Sequence, residues 1–346
     1  MVECESMRRP RVKIDGEGFY HVVSRIVMKR FLLDDGEKEI LLGMIRAAAA
    51  FSGVEVYTHA VMSNHFHLLV RVPRRKEVSD AELERRMLAL YGPAKFAAIL
   101  AKWEKWSKKG QEARVEEEKT RMRARMYDLS QFCKTFKEAY TQDYNRRHEN
   151  SGTIWEGRFK SILLEGSYRA LMTVAGYIHL NPVRAKMSEN AEDAKNAGYG
   201  AAYQGDAQAR AGLVSLAKRV YSAAEISWED ARAACSDVIE GAMPEAMGGP
   251  LGPPATSGTL ETLGTTGTCA MTDSVATDAK GRPAGAGSLR ELLRRRVAGF
   301  LHGGALGGER FLRRVAGALP KRVRRRAAGV LDAFGLRAAG GVREAS

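Results

Sequence analysis

The sequence lacks the features of a membrane or secreted protein. It contains no run of eighteen apolar residues, and its polar start, MVECESMRRPRVKIDGEG, has no apolar signal-peptide core. The four cysteines have no paired spacing, which argues against both a disulfide framework and a cysteine-ligated zinc site. The sequence therefore predicts a cytoplasmic protein with reduced thiols at Cys4, Cys133, Cys235 and Cys269.

Acidic residues are also too few to balance the basic ones. The chain has 55 Lys and Arg against 41 Asp and Glu, a formal charge of +14 and a pI near 9.7. This charge favours a polyanionic partner, either nucleic acid or an acidic membrane surface. The phosphate-binding pattern G-x-x-x-x-G-K-[ST] is absent as well, which counts against an attached helicase domain.

Composition divides the 346 residues into four regions. Residues 1–190 have the patterning of a folded domain, with a highly charged helical insertion at about 74–126. Residues 191–240 predict a helical extension, and 241–287 are rich in Gly, Pro, Thr and Ser, which is typical of a flexible linker. Residues 288–346 predict a basic helical C-terminal region, with helical runs over 288–301, 308–319 and 321–334.

The first region predicts an α+β fold. A strand over Phe19–Ile26 is followed by a helix from Asp34 or Asp35 to about Phe51, and then by a hairpin of strands Val54–Met62 and His65–Val72. This is the first half of a ferredoxin-like βαββαβ sandwich. After the insertion, the pattern predicts a helix over Tyr127–Arg147, a strand over Ser161–Leu164 and a helix from the N-cap Ser167 to about Leu180.

Two histidines open the third predicted strand. Side chains alternate along a strand, so His65 and His67 point to one face while Phe66 points to the other. Two imidazoles on one face form a two-nitrogen site for a divalent cation. The alternative is that both are ordinary polar residues on a half-exposed strand, so the interpretation needs further ligands.

The last predicted helix of this region offers them. Tyr177 and Asn181 are four residues apart, which places them within about 40° of each other around a helix. Two imidazoles and an amide oxygen leave positions on Mg²⁺ or Mn²⁺ open for phosphate oxygens. A tyrosine there can act as a nucleophile on a phosphodiester, and the resulting phosphotyrosine preserves bond energy for resealing. The chemistry indicated is cleavage and rejoining of single-stranded DNA.

The motifs resemble those of a known family. His65-Phe66-His67 resembles the HUH motif of single-tyrosine transposases, and the blocks GTIWEGRFKS (152–161) and GYIHLNPVRA (176–185) look like signatures of the REP-associated tyrosine transposases. The resemblance covers about 19–187. It implies a ferredoxin-like catalytic domain, His65 and His67 as metal ligands, Tyr177 as nucleophile and Asn181 as third ligand, with the residues Trp155 and Arg158 near the DNA path.

Some residues keep two interpretations. Tyr177 has the alternative of a core tyrosine, and Tyr140 and Tyr144 are rival nucleophiles on a basic helix. His179, where the family more often has an acidic residue, is expected to be structural or solvent-facing. His21 and His59 are expected on the same face of the sheet as the site, but not as ligands. Arg158 and Lys160 are either contacts to the DNA backbone or ordinary surface charge. Arg184 is expected to contact DNA.

The sequence as a whole predicts a metal-dependent DNA transesterase. Its expected partner is single-stranded and hairpin DNA with palindromic repeats, its cofactor is Mg²⁺ or Mn²⁺, and its location is the cytoplasm, at the nucleoid. A homodimer is left open. Two other functions remain in consideration: a non-catalytic, repressor-like DNA-binding protein that retains the fold, and a replication or mobilisation nickase.

Overall fold

The computed structural model describes residue 14, residues 16–246 and three short pieces near the C-terminus, 304–307, 311 and 337–338. Most of the predicted linker and of the predicted basic helical region lies outside the described residues. None of the helices within the described ranges is long and apolar enough to span a lipid bilayer.

Four strands form the central sheet: β1 (Gly18–Arg25), β2 (Glu55–Val61), β3 (His65–Val72) and β4 (Lys160–Leu164). Their order is β2-β3-β1-β4, and neighbouring strands are antiparallel. One helix connects β1 to β2 and another precedes β4, which is the arrangement of a ferredoxin-like βαββαβ fold. The predicted α+β class is confirmed.

Helices cover both faces of this sheet. Those between β1 and β2 and before β4 pack on one face, and those after β4 pack on the other. In chain order they are α1 (Asp35–Ser52), α2 (Asp80–Ser107), α3 (Glu112–Ala124), α4 (Leu129–Arg147), α5 (Tyr168–His179), α6 (Asn181–Arg184), α7 (Gly198–Tyr203), α8 (Ala207–Tyr221) and α9 (Trp228–Ala246).

Local sequence sets the ends of the main helices. The side chain of Asp34 accepts a hydrogen bond from the Glu37 backbone at 2.8 Å and caps α1. Gly53 ends α1 with φ 71°, a left-handed conformation that suits glycine. Ser167 caps α5 as predicted. Pro182 lies in the first turn of α6, where its missing N–H is not needed, so the chain turns into a new short helix there.

The predicted insertion is a pair of helices, α2 and α3. α2 bends at Gly92, where φ is 72°. Its small core contains Leu83, Met87 and Trp103 and packs against Phe51 of α1. The insertion is therefore attached on the α1 side of the sheet.

Beyond β4 the structure differs from the sequence prediction in three places. α7 was not predicted, and α9 continues to Ala246, six residues into the segment assigned to the linker. β5 (Gly304–Gly307), which lies between two predicted helical runs, pairs in parallel with β4, and β6 (Arg337–Ala338) pairs with β5. The β4 edge of the sheet is therefore extended by another strand.

A buried carboxylate connects α1 to α4. Glu37 is 4 % exposed, and its carboxylate accepts hydrogen bonds from Tyr140 Oη at 2.7 Å and from Arg147. It also contacts His148 Nε2 at 2.7 Å. Burial alone raises the pKa of Glu37, but the hydrogen bonds from Arg147, His148 and Tyr140 outweigh it and lower the pKa to about 2.

We expect Glu37→Gln to lower the free energy of unfolding at pH 7 by about 2 kcal/mol, because Arg147 loses its buried partner. Since the folded-state pKa lies below the usual 4.5, the carboxylate stabilises the fold above pH 4.5 and loses that effect as the pH falls towards 2. Urea denaturation between pH 7 and 3 should therefore show a steeper loss for the wild type than for Glu37→Gln. The exposed Glu104→Gln is the control and should follow the wild type; equal slopes for Glu37→Gln and the wild type would contradict the assignment.

Candidate functional site

Histidines and a tyrosine from three elements meet on the face of the sheet that α5 covers. The rings of His65 and His67, both on β3, have centroids 5.0 Å apart. Tyr177 on α5 lies with its ring 5.6 Å from that of His67 and 5.9 Å from that of His21 on β1. The structure thus brings together the predicted histidine pair and the predicted tyrosine, and adds a third histidine.

The pairing of β1 with β3 determines which side chains face this site. Arg25 is opposite His65 and Val23 is opposite His67, so these four side chains share one face. Phe66 points to the other face, where its ring lies 5.5 Å from that of Phe136. The predicted alternation along β3 is therefore present.

Each β3 histidine is held at its Nδ1 atom. His65 Nδ1 lies 2.7 Å from Asn64 Oδ1, which can only accept, so the proton is on Nδ1 and the lone pair is on Nε2. His67 Nδ1 lies 2.9 Å from His21 Nε2 in a buried contact. In both rings the Nε2 atom is left to bind a ligand, which is how a metal-binding histidine is usually oriented.

Burial keeps these imidazoles neutral. It lowers the pKa of His65 to about 4, with a further contribution from the charge of Arg25. It lowers the pKa of His67 well below its usual value, and His65, His21 and Arg25 act in the same direction. A neutral imidazole is the form that binds a metal ion at neutral pH.

The phenol of Tyr177 is under opposing influences. Burial raises its pKa, whereas the charges of Arg184 and Arg25 and a hydrogen bond from Asn181 lower it. The Arg184 guanidinium lies 5.4 Å from the centre of the Tyr177 ring. Burial is the largest of these effects, so the pKa of Tyr177 lies above its usual value although the two cations favour the phenolate.

Asn181 lies beside Tyr177, as the spacing of four predicts. It is 2 % exposed, and its Nδ2 donates to the Tyr177 carbonyl oxygen at 2.9 Å. The amide nitrogen is engaged by this hydrogen bond. The amide oxygen, Oδ1, is the atom of Asn181 that suits a cation as a ligand. Two neutral imidazoles and one amide oxygen fit a divalent cation, although the described residues contain no cluster of three or more His, Cys, Asp and Glu suited to a metal.

The residues predicted to contact DNA differ in their exposure and in their distance from the histidines. Arg158 and Lys160 are exposed. Lys160 pairs with Val23, which pairs with His67 on the next strand, so Lys160 shares the face of the histidines about 10 Å away. Arg184 contacts the Tyr177 ring and belongs to the site itself.

Trp155 is a correction to the sequence prediction. It is 5 % exposed, on the opposite face of the sheet from the histidines, with its ring 5.7 Å from that of Phe66. Its Nε1 donates to Thr141 Oγ1 at 2.9 Å and to the Lys137 carbonyl at 3.2 Å. A side chain enclosed in this way is not accessible to DNA, and its position in the motif is explained by packing.

The rival residues are placed away from the site. Tyr140 is fully buried on the α1 side, where its hydroxyl donates to Glu37, and burial raises its pKa. Tyr144 belongs to the same core. His59 pairs with Leu68 and so faces away from His67. His179 is 1 % exposed and contacts Thr58 Oγ1 at 2.8 Å, so it is structural and not solvent-facing.

Sequence reasoning missed three contributors to this site. It considered His21 only as a residue on the same face, and it assigned no role in the site to Asn64 or Arg25. His21 and Arg25 act on the β3 histidines from the neighbouring strand, and Asn64 acts on His65, which follows it in the sequence. The signal available in the sequence was the strand alternation that puts His21 and Arg25 on one face of β1.

Residues 17–82, which include β1, α1 and the two histidines, match the family described as transposase IS200 like. No curated protein matches the chain. The solved structure of a REP-associated tyrosine transposase bound to a REP hairpin shares 15 % identity with it, over 56 % of this chain and 83 % of that chain, with a TM-score of 0.36.

The family match supports the resemblance for the part of the chain that contains His65-Phe66-His67, whereas the blocks 152–161 and 176–185 lie outside the matched residues. It covers 66 of the 346 residues and ends within the first helix of the insertion. For this part of the chain it supports a transposase-like role in DNA processing.

We expect Trp155→Phe to lower the free energy of unfolding by about 1–3 kcal/mol, because the partly buried Thr141 hydroxyl loses its donor and the Lys137 carbonyl keeps only one of its two side-chain donors. Its affinity for DNA should equal that of the wild type. Urea denaturation and fluorescence anisotropy measure the two quantities. Trp106→Phe, in the insertion, is the matched control and should change stability by about 0.5 kcal/mol or less. If Trp155→Phe binds DNA more weakly and its stability is unchanged, Trp155 contacts DNA and the interpretation from packing is wrong.

Proposed function

We propose that this protein cleaves and rejoins single-stranded DNA through a covalent phosphotyrosine intermediate, with Tyr177 as the nucleophile. The observation that carries the proposal is the position of the Tyr177 ring 5.6 Å from that of His67. Tyr177 is partly exposed, unlike the fully buried Tyr140, so its hydroxyl is the one a DNA strand can approach. The role is that of a transposase, or of a domesticated relative, acting on hairpin or palindromic repeats.

A divalent cation, Mg²⁺ or Mn²⁺, would be held by Nε2 of His65 and His67 with Asn181 as third ligand. When bound, it polarises the phosphodiester and stabilises the departing oxygen. Asn64 and His21 orient the two imidazoles through their Nδ1 atoms. The ligands are therefore positioned before metal or DNA arrives.

The chain itself supplies the nucleophile, and two arginines partly offset the rise in the phenol's pKa that burial causes. Arg184 and Arg25 favour the phenolate of Tyr177. The phenol oxygen bonds to phosphorus as the bond from phosphorus to the sugar oxygen breaks, and the proton that the phenol loses passes through solvent to the departing sugar oxygen. In the reverse step a DNA hydroxyl attacks the phosphotyrosine, and the phenol is regenerated without a nucleotide cofactor.

Exposed cations around the site match a DNA backbone. Lys160 shares the face of the histidines, and Arg158 is exposed two residues before it. Such side chains contact phosphates and orient the strand without reading its sequence. A folded hairpin would present its phosphates to this surface while its single-stranded flank reaches Tyr177.

Tyr177→Phe should abolish a denaturant-resistant adduct between the protein and labelled hairpin DNA in Mn²⁺, because the nucleophilic oxygen is lost. Hairpin affinity should stay within about twofold of the wild type, since one hydroxyl adds little to a phosphate-dominated interface. Denaturing gel electrophoresis measures the adduct. Tyr140→Phe is the control and should still form it. If the adduct survives Tyr177→Phe and disappears in Tyr140→Phe, the nucleophile is Tyr140 and the proposed assignment is wrong.

Metal affinity tests the ligands and their orientation together. By titration calorimetry, His65→Ala and His67→Ala should lose Mn²⁺ binding, and His21→Phe should weaken it by about 10- to 100-fold because His67 loses the partner of its Nδ1. His21→Gln should recover most of the affinity, since its amide oxygen can accept the same hydrogen bond. His59→Phe, which replaces a buried histidine on the opposite face, should bind as the wild type does. Unchanged affinity in His67→Ala would remove the metal from the proposal.

A further inference from the structure

The loop between β1 and α1, residues 27–33, exposes the two most accessible large apolar side chains of the described residues. Met28 is 83 % exposed and Phe31 is 80 % exposed. The next most exposed, Tyr203, is at 47 %. Large apolar side chains this accessible and this close in sequence are typical of an interaction site.

The backbone of this 27–33 loop is strained. Met28 and Lys29 have φ values of 56° and 57°, in the left-handed region that residues with a side chain rarely adopt. Such conformations persist only where surrounding contacts hold them, and they are concentrated at functional sites. No residue of the segment Val27–Lys29 is buried.

Contacts to the turn between β2 and β3 hold the loop in place. The side-chain amide of Asn64 donates to the Lys29 carbonyl at 3.0 Å. The Ile26 backbone donates to the Asn64 carbonyl at 2.8 Å, and the Leu33 backbone donates to the Ser63 carbonyl at 3.0 Å. The exposed side chains are therefore presented by a fixed backbone.

The same Asn64 joins the loop to the candidate active site. Its Nδ2 holds Lys29, and its Oδ1 accepts from His65. Only one side chain lies between the strained backbone and a proposed metal ligand. A strand that binds to the loop would therefore lie next to His65.

The loop also carries uncompensated positive charge. Lys29 and Arg30 are exposed, and no carboxylate of the described residues forms an ion pair with either. The nearest acidic residues in sequence are engaged elsewhere, because Asp34 caps α1 and Asp35 pairs with Lys38 and Lys195. Two cations and an aromatic ring within three residues match a phosphate backbone and its bases.

We infer that the 27–33 loop binds the single-stranded flank of the DNA substrate, with a base stacked on Phe31 and with Met28 beside it. Lys29 and Arg30 contact the adjacent phosphates. Single-stranded DNA is the occupant that fits, because its unpaired bases offer the faces on which aromatic side chains stack. The inference rests on the proposed function, and it adds where the strand lies before it reaches Tyr177.

The test compares two DNA probes by fluorescence anisotropy in the absence of cleavage, so that it does not depend on catalysis. One is a hairpin with a single-stranded flank and the other is the same hairpin without it. Phe31→Ala should raise the Kd for the flanked hairpin by about tenfold and leave that for the blunt hairpin unchanged. Phe31→Trp should restore binding, and Leu88→Ala, which truncates an exposed apolar residue of α2, should match the wild type for both probes.

Salt dependence and oligomeric state complete the test. Replacing Lys29 and Arg30 by Gln should reduce the slope of log K against log salt by about 0.7 per lost phosphate contact for the flanked hairpin. Equal weakening of both probes by Phe31→Ala, or no weakening of either, would overturn the inference. So would a dimer in sedimentation that Phe31→Ala dissociates with flank binding intact, because the loop would then bind a second copy of the chain. If the wild type forms no adduct but Phe31→Ala weakens binding of the flanked hairpin as predicted, the proposed catalysis is wrong and the inference about the loop stands.

Discussion

The pairing of β1 with β3 is the constraint on which the candidate site depends. It places Val23 opposite His67 and Arg25 opposite His65, and it brings His21 within hydrogen-bonding distance of His67. Because side chains alternate, a slip of one residue would turn Phe66 towards α5 and both histidines into the opposite core. The apolar residues that alternate with the histidines, Phe66, Leu68 and Val70, are all fully buried. The packing of that face therefore fixes the register that the site needs.

Neutral ligands have a consequence for how the proposed cation would bind. His65, His67 and Asn181 bring no negative charge, and Arg25 adds a positive one, so a divalent ion at this site is poorly compensated by the protein. DNA phosphate would supply the missing charge. Under the proposed function, metal and DNA therefore bind with positive coupling, and by thermodynamic linkage each increases the affinity for the other to the same extent. A weak affinity for metal in the absence of DNA is consistent with such a site.

Local signals in the sequence predicted the elements, and long-range pairing determined the rest. β3 has the predicted bounds, and Ser167 caps α5 as predicted, because alternation and capping are local effects. The role of His21 depends on a contact across 46 residues, which periodicity does not reveal. Trp155 has the motif spacing of a functional residue, but tertiary packing buries it. The helix α3 has no buried residues and hence no apolar stripe, so the sequence predicted it only as part of a charged helical insertion and not as a separate helix.

The two cores of the domain have different relations to the site. The core under α1 and α4 contains Trp155 and Tyr140 and bears on the reaction only through the register of β3. The core under α5 contains Leu171, Val174 and Ile178, and it sets the height and rotation of the helix that carries Tyr177 above the sheet. Interiors are packed closely enough that removing a methylene group shifts neighbouring elements. A change in this second core therefore alters the distance between phenol and imidazole without touching either group, so the proposed nucleophile is positioned by apolar packing and the proposed metal ligands by strand pairing.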